Sequence, residues 1–404
     1  MLLLNHDYAG HPFQVDLSKA LANSKLNILH AFAGNLVTPR GDLSSTNRPT
    51  NLTFHEIPMD AHYRSNKYSF HRRFLMERLY GKELVNLIRR EKPDCILSAN
   101  TPSEPQWMLT QSARRLHIPL ITWVQDIYSH AVSRLAKKFF PLLGNLIGSY
   151  YRFLDSQCLR NSTAVIAISE DFHAPLAQLG ANPKRFFTIP NWAPLEELPV
   201  GLKLNPWSKA HGLENKFVFL YSGTLAMKHN PDLIRSLAYK FKDDDTTRFV
   251  LISEGPGADY LSKAKQREDL KNLIILPYQP FSNMPDVLAS ADVLLAVLER
   301  DAGIFSVPSK VMSYHCAARP ILAAIPFANQ AARYLQANGS GLCVEPEDLD
   351  GWLAAAKSLH ASADLRNRLG ASARSFAEKN FAIRPIAARF EEVFQFALNN
   401  PLPN

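Results

Sequence analysis

Polar and apolar positions alternate in blocks along this chain, short strand-forming runs being separated by stretches whose apolar residues recur at helical spacing. In the first half the runs are Leu2–Leu4, Leu26–Phe32, Leu52–Ile57, Cys95–Ser98, Pro119–Trp123 and Ala164–Ser169. Helical patterns lie between several of them, notably up to about Ala22 and over Ser69–Lys92 and Arg134–Arg152. The second half repeats the theme with runs at Phe217–Tyr221, Phe249–Ser253, Leu273–Leu276, Asp292–Leu298 and Ile321–Ile325. Its helical patterns fall near Asp232–Tyr239, Leu353–Leu359, Ala363–Ala377 and Pro385–Leu398, the last with an apolar face of Ile386, Phe390, Val393, Phe394 and Ala397. Such alternation predicts two α/β domains, each a parallel sheet flanked by helices. The stretch Ile189–Trp207 carries Pro190, Pro194, Pro199 and Pro206, so neither a helix nor a central strand is expected there and it reads as an interdomain linker. The expected domains are therefore 1–195 and 208–384.

Composition narrows the class. A chain of 404 residues, 46% hydrophobic and 20% charged, has ample core for two to three domains and is not a disordered protein. No apolar run approaches the roughly 18 residues that span a bilayer, and Met1–Leu4 is too short for a signal-peptide core, so the expected compartment is the cytoplasm. Cys95, Cys158, Cys316 and Cys343 lie far apart without metal-ligand spacing, which argues for reduced thiols and against a zinc site or disulfide framework. The net charge of +8 suggests anionic partners; phosphorylated substrates, anionic lipid and nucleic acid all qualify on charge alone.

The richest chemistry lies in Asp301–Pro326. A flexible turn containing Gly303 follows an apolar strand, and beyond Pro308 a helix opens at Ser309 and Lys310. Free N–H groups at a helix start, together with the lysine charge, favour an anion; an ordinary structural unit in which Ser309 caps the helix accounts equally well for the same residues. Arg319-Pro320 ends the helix. Earlier, the run Phe217–Tyr221 ends in Ser222-Gly223-Thr224 with Lys228 beyond it, where glycine lets the backbone approach a phosphate and lysine neutralises it. In the first half three strand ends carry polar groups: His6-Asp7 with Gly10-His11, Asn100-Thr101, and Gln125-Asp126. Asp126 is placed either to accept a proton from a hydroxyl or merely to cap the following segment. The GxGxxG fingerprint is absent, which counts against a nicotinamide or flavin dehydrogenase.

The segment Pro308-Ser309-Lys310, followed by a helix and then Ala318-Arg319-Pro320, resembles the donor-sugar segment of family-4 retaining glycosyltransferases of the GT-B fold. The likeness is to the bacterial branch that builds capsule, O-antigen and colanic-acid-type polysaccharides. It implies two Rossmann-like domains facing each other across a cleft, an N-terminal domain for the acceptor, a C-terminal domain for a UDP- or GDP-sugar, and a C-terminal helix over 385–404 returning to the first domain. The reaction implied retains anomeric configuration and uses no cofactor and no metal. By the resemblance Asp126, Lys228 and Lys310 are catalytic. Gly223, Thr224, Glu254, Tyr278, Gly303, Phe305, Ser309 and Ser313 face the donor, while Gly10, His11 and Gln125 face the acceptor. Departures accompany it: Phe305 and Ser313 stand where the family usually has glutamates, Gln125 where it has a histidine, Thr224 where it often has an arginine, and Ala318 where it has a glycine.

The resembling enzymes act on lipid-diphosphate carriers at the inner face of the cell membrane. This bears on the two patterns that mix basic and bulky apolar residues, Ser69–Lys92 and Arg134–Arg152, with Lys137-Lys138 beside Phe139-Phe140. Such helices either lie in an anionic membrane interface or are amphipathic core helices with solvated charges. The expectation is peripheral membrane association, a lipid-diphosphate-linked acceptor and no nucleic-acid partner. A binding protein that has lost catalysis and a nucleotide-sugar epimerase of the same fold are the rival expectations.

Overall fold

The structure is a computed structural model that describes residues 1–22, 26–36, 40–43, 48–63, 69–139, 143–226, 229–300 and 307–402. Its contacts divide the chain into two units, one comprising Met1–Pro190 with Ile383–Asn404, the other Asn191–Ala382.

The first unit is built on seven parallel strands: β1 (Leu2–Asp7), β2 (Asn27–Ala33), β3 (Leu52–Ile57), β4 (Cys95–Ala99), β5 (Leu120–Val124), β6 (Ala164–Ala167) and β7 (Phe186–Thr188). They stand in the order β3-β2-β1-β4-β5-β6-β7. β4 and β5 are buried throughout, as strands covered by helices on both faces must be, and this is why they read as unbroken apolar runs. β1 departs from the expected boundary. It runs on through Asn5, His6 and Asp7, all with no exposed surface, although these polar residues read as loop. Buried polar groups need partners, and these have them: the Asn5 amide donates to Ser18 Oγ at 2.6 Å, while His6 Nε2 meets the Tyr80 hydroxyl at 2.7 Å. The C-terminal helix Ile383–Asn399 lays Ile386, Phe390, Val393, Phe394 and Ala397 into this unit, the Phe390 ring meeting Trp123 edge-on at 4.8 Å.

The second unit holds six parallel strands: β8 (Phe217–Ser222), β9 (Thr247–Ile252), β10 (Leu273–Leu276), β11 (Val293–Val297), β12 (Ile321–Ala324) and β13 (Gly341–Val344). Their order is β10-β9-β8-β11-β12-β13. Stacked Phe219 and Phe249 rings, 4.9 Å apart, sit in its core with Leu237, Leu295 and Trp352. The proline-rich stretch is not a free tether. Trp192, Ala193 and Leu198 are buried, and a short helix, Pro206–Ala210, opens with proline in its first turn, where no N–H is missed, behind an Asn205 capping box. The pattern over Arg134–Arg152 likewise resolves into two helices, Tyr128–Phe139 and Gly144–Arg160.

In both sheets the chain first winds outward from a central strand and then crosses to that strand's other side. The switch lies between β1 and β4 in the first unit and between β8 and β11 in the second. Open parallel sheets bind ligands beyond the carboxyl ends of the strands at that point.

Candidate active site

Beyond β8 the chain turns at Gly223, whose φ of 122° is a conformation glycine adopts at little cost. The Gly223 N–H continues the ladder to the Ile252 carbonyl at 3.0 Å, and the Leu225 N–H donates to Ser253 Oγ at 3.0 Å. Two buried tyrosines brace this turn. Tyr314, on helix Lys310–Cys316, accepts the Ser222 N–H at 2.9 Å and donates to the Ser222 carbonyl at 3.2 Å. Tyr221 donates its hydroxyl to the Thr224 carbonyl at 2.7 Å. Lys310 reaches the same place: its Nζ donates to the Thr224 carbonyl at 3.3 Å and stands 3.5 Å from the centre of the Tyr221 ring. Thr224 Oγ1 lies 3.3 Å from the Tyr278 hydroxyl. Gly223, Thr224, Tyr278 and Lys310 are thus brought together. Glu254 follows β9 just before Gly255 (φ 98°) opens helix Pro256–Glu268.

Ser309 does not cap its helix. Its backbone is already helical (φ −57°, ψ −27°), its side chain makes no capping bond, and it is exposed. The helix has only seven residues, so a positive charge here comes from Lys310 rather than from a long helix dipole. Ser313 lies one turn further on, half-buried. Lys228, Gly303 and Phe305 lie outside the described residues. Sequence reading missed Tyr221 and Tyr314; the available signal was a tyrosine inside an apolar element, whose hydroxyl needs a partner when buried.

In the first unit the ends of β1, β4 and β5 converge. Buried Asp7 accepts the N–H groups of Ala9 at 3.1 Å and His11 at 2.5 Å, with the turn made at Gly10 (φ 74°). Burial pushes the Asp7 carboxyl up, but hydrogen bonds and charge from His11 outweigh it and hold the group below its ordinary value. The His11 ring lies 3.3 Å from the Asn100 amide. Asn100, Thr101, Gln125, Asp126, Tyr128 and Asp155 share the wall of a cavity of about 150 Å³. Gln125 is buried and Asp126 exposed. Behind this rim His6 is driven down to about 3 by burial and stays neutral between Ser98 and Tyr80. Glu104, next to Ser103 at the start of helix Ser103–Arg115, is raised to about 7 by burial. Among the described residues no group of His, Cys, Asp or Glu side chains has the arrangement of a metal site.

A family model described as Glycosyltransferase Family 4 matches residues 11–197, and one described as Glycosyl transferases group 1 matches residues 205–376. The chain belongs to these glycosyltransferases. Its relatives include WcaI of Escherichia coli (strain K12), named as a colanic acid biosynthesis glycosyl transferase, 23% identical over 57% of this chain and 57% of that protein. WbjE of Pseudomonas aeruginosa, named as a glycosyltransferase, is 24% identical over 75% of this chain and 74% of its own. The match spans less than two thirds of WcaI's length. Among solved structures, Anabaena HepE in complex with UDP and glucose superposes with a TM-score of 0.72 at 12% identity, covering 98% of this chain and 99% of HepE. WaaG, a glycosyltransferase involved in lipopolysaccharide biosynthesis, superposes at 0.67 with 13% identity, covering 97% and 99%. The two parallel sheets of this chain are those of the GT-B fold, in agreement with the resemblance drawn from Pro308-Ser309-Lys310.

Proposed function

We propose that this chain transfers a sugar from a nucleotide-sugar donor held by the second unit to an acceptor held by the first, with retention of configuration, in the assembly of a cell-surface polysaccharide. The observation that carries the reading is the meeting of Lys310, Gly223, Thr224 and Tyr278 at the switch point of the second sheet. A glycine-lined turn beside an ammonium suits a diphosphate, and HepE has been solved with UDP-glucose. As the glycosidic bond breaks, negative charge grows on the leaving diphosphate and the sugar becomes oxocarbenium-like, so a preorganised cation acts mainly on the transition state. Lys310 holds that place, and Lys228 joins it by the resemblance; the reading includes no metal. Asp126, exposed on the cavity rim with Gln125 on the same wall, is assigned to orient or deprotonate the acceptor hydroxyl, and Gly10 and His11 join the acceptor side by the resemblance.

The acceptor is proposed to be lipid-linked and the enzyme peripheral to an anionic membrane. Support comes from the first unit, where Leu75 (48% exposed) and Leu79 (55%) stand on helix Phe70–Glu91 beside Arg72 and Arg78. Leu146 (69%) and Phe153 (56%) stand on helix Gly144–Arg160, where the charge of Arg78 acts on the Tyr150 hydroxyl. Apolar side chains ringed by cations fit an anionic lipid interface. Among the described residues no helix is long and apolar enough to cross a membrane.

The decisive experiment is a thermal-shift screen against UDP-, GDP- and ADP-sugars, followed by radiolabelled transfer to lipid-diphosphate acceptors with and without EDTA. Transfer that survives the chelator supports the reading. Binding without transfer supports a binding protein, and interconversion of free nucleotide sugars without acceptor supports an epimerase.

A further inference from the structure

We propose that Tyr221 is a positioning residue: its ring face is the seat that holds the Lys310 ammonium in place for the donor diphosphate. The inference rests on the donor-site reading above and adds to it the group that aims its cation.

Lys310 ends a flexible four-carbon stem, and an unguided ammonium samples many rotamers. Here three neighbours narrow the choice. The Tyr221 ring centre lies 3.5 Å from Nζ, well inside the range of a cation–π contact. The Thr224 carbonyl accepts from the same Nζ at 3.3 Å. Gly223 is the third neighbour: a Cβ built there would stand 3.4 Å from Cε and 3.6 Å from Nζ, in van der Waals contact with the lysine tip. The seat is itself immobile. Tyr221 has no exposed surface, and its hydroxyl donates at 2.7 Å to the very carbonyl that Lys310 uses. One tyrosine thereby fixes both the ring and the carbonyl, while Tyr314 secures the intervening Ser222 from both its N–H and its carbonyl. A cation held before the ligand arrives does not have to be ordered afterwards, which is the condition for electrostatic stabilisation without reorganisation.

Substituting Tyr221→Phe and then Tyr221 by mono-, di- and trifluorophenylalanine weakens the π face stepwise while keeping the ring's shape, so folding is preserved. The probes are UDP and GDP, titrated by calorimetry. Affinity of the better-bound nucleotide should fall progressively with each fluorine, by on the order of tenfold across the series, and the same series in a Lys310→Met background should be flat. A flat series with Lys310 present, when Lys310→Met itself weakens nucleotide binding, overturns the seat and leaves the donor-site reading standing. Unchanged nucleotide binding in Lys310→Met overturns both. A slope that persists in Lys310→Met assigns Tyr221 to the nucleotide directly and also overturns the seat. A second readout needs no ligand: in protein carrying 13C-methylated lysines, the signal lost in Lys310→Arg should be shifted upfield by the Tyr221 ring current, and an unshifted signal contradicts the seat.

Discussion

The buried Asp7 carboxylate at the end of β1 accepts the backbone N–H of His11 at 2.5 Å, and its other oxygen lies 3.4 Å from the His11 ring. A strand end and the loop beside the candidate acceptor cavity are thus held by one charge. Because the folded carboxyl is held below its ordinary value, its ionised form stabilises the protein above the unfolded value of about 4. That contribution is lost as pH falls through the lower, folded value. Asp7→Asn should therefore cost about 1–3 kcal/mol at pH 7, in the range of a weakened buried charged hydrogen bond, and the gap to wild type should narrow as pH falls through the lowered folded value. Urea denaturation at several pH values measures this; a gap independent of pH contradicts the assignment.

Glu104 behaves in the opposite sense. Burial lifts its carboxyl to about 7, against a lowering contribution from the Tyr151 hydroxyl and with a further raising one from Glu77. The folded state therefore favours the neutral acid, and stability falls as pH rises from the unfolded value of about 4.5 to the folded one. Glu104→Gln removes the titration. It should gain on wild type by up to roughly 3 kcal/mol between pH 5 and 8, in proportion to the shift. Thermal melts at the two pH values that move in parallel for both proteins would contradict this.

Lys310→Ala should lower kcat by about a hundredfold, the scale for losing one preorganised charge-stabilising group from a transition state, and weaken donor binding less, by about tenfold. Lys228→Ala is expected to act in the same way. Ser313→Ala should cost only about fivefold, since a neutral hydrogen bond contributes about 1 kcal/mol. Steady-state kinetics with labelled donor separates these cases, and near-normal turnover in both lysine variants defeats the catalytic assignment.

Ala318 has a φ of 54°, a left-handed conformation that strains any residue with a Cβ. Ala318→Gly should raise stability by about 1 kcal/mol. Gly370 packs beneath the same peptide, and a Cβ there would stand 2.4 Å from the Ala318 carbonyl oxygen, so Gly370→Ala should destabilise the second unit by about 2 kcal/mol. Chemical denaturation of the two variants should give shifts of opposite sign.

Leu146→Ser combined with Phe153→Ser should weaken co-sedimentation with anionic vesicles several-fold while leaving nucleotide binding intact. Arg72→Glu with Arg78→Glu should act similarly and abolish the salt dependence, each basic residue contributing on the order of 1 kcal/mol near an anionic surface. Binding that is indifferent to all four substitutions places the membrane contact elsewhere.

The succession of apolar runs and helical patterns was enough, by itself, to specify parallel α/β architecture in both halves, because a strand buried on both faces must be apolar throughout and its crossover must carry one apolar face. Helix Phe70–Glu91 and most strand positions were legible for that reason, and Gly223 and Lys310 were legible as residue types suited to a phosphate. What the sequence could not convey was which strands become neighbours: side-chain periodicity encodes which face is buried and not which backbone lies alongside. Only the tertiary structure runs β1 through Asn5, His6 and Asp7, since their polarity is acceptable once Ser18, Tyr80 and the N–H of His11 surround them. It alone sets Lys310 over Tyr221, residues 89 positions apart in the sequence, because β11, which precedes helix Lys310–Cys316, lies beside β8.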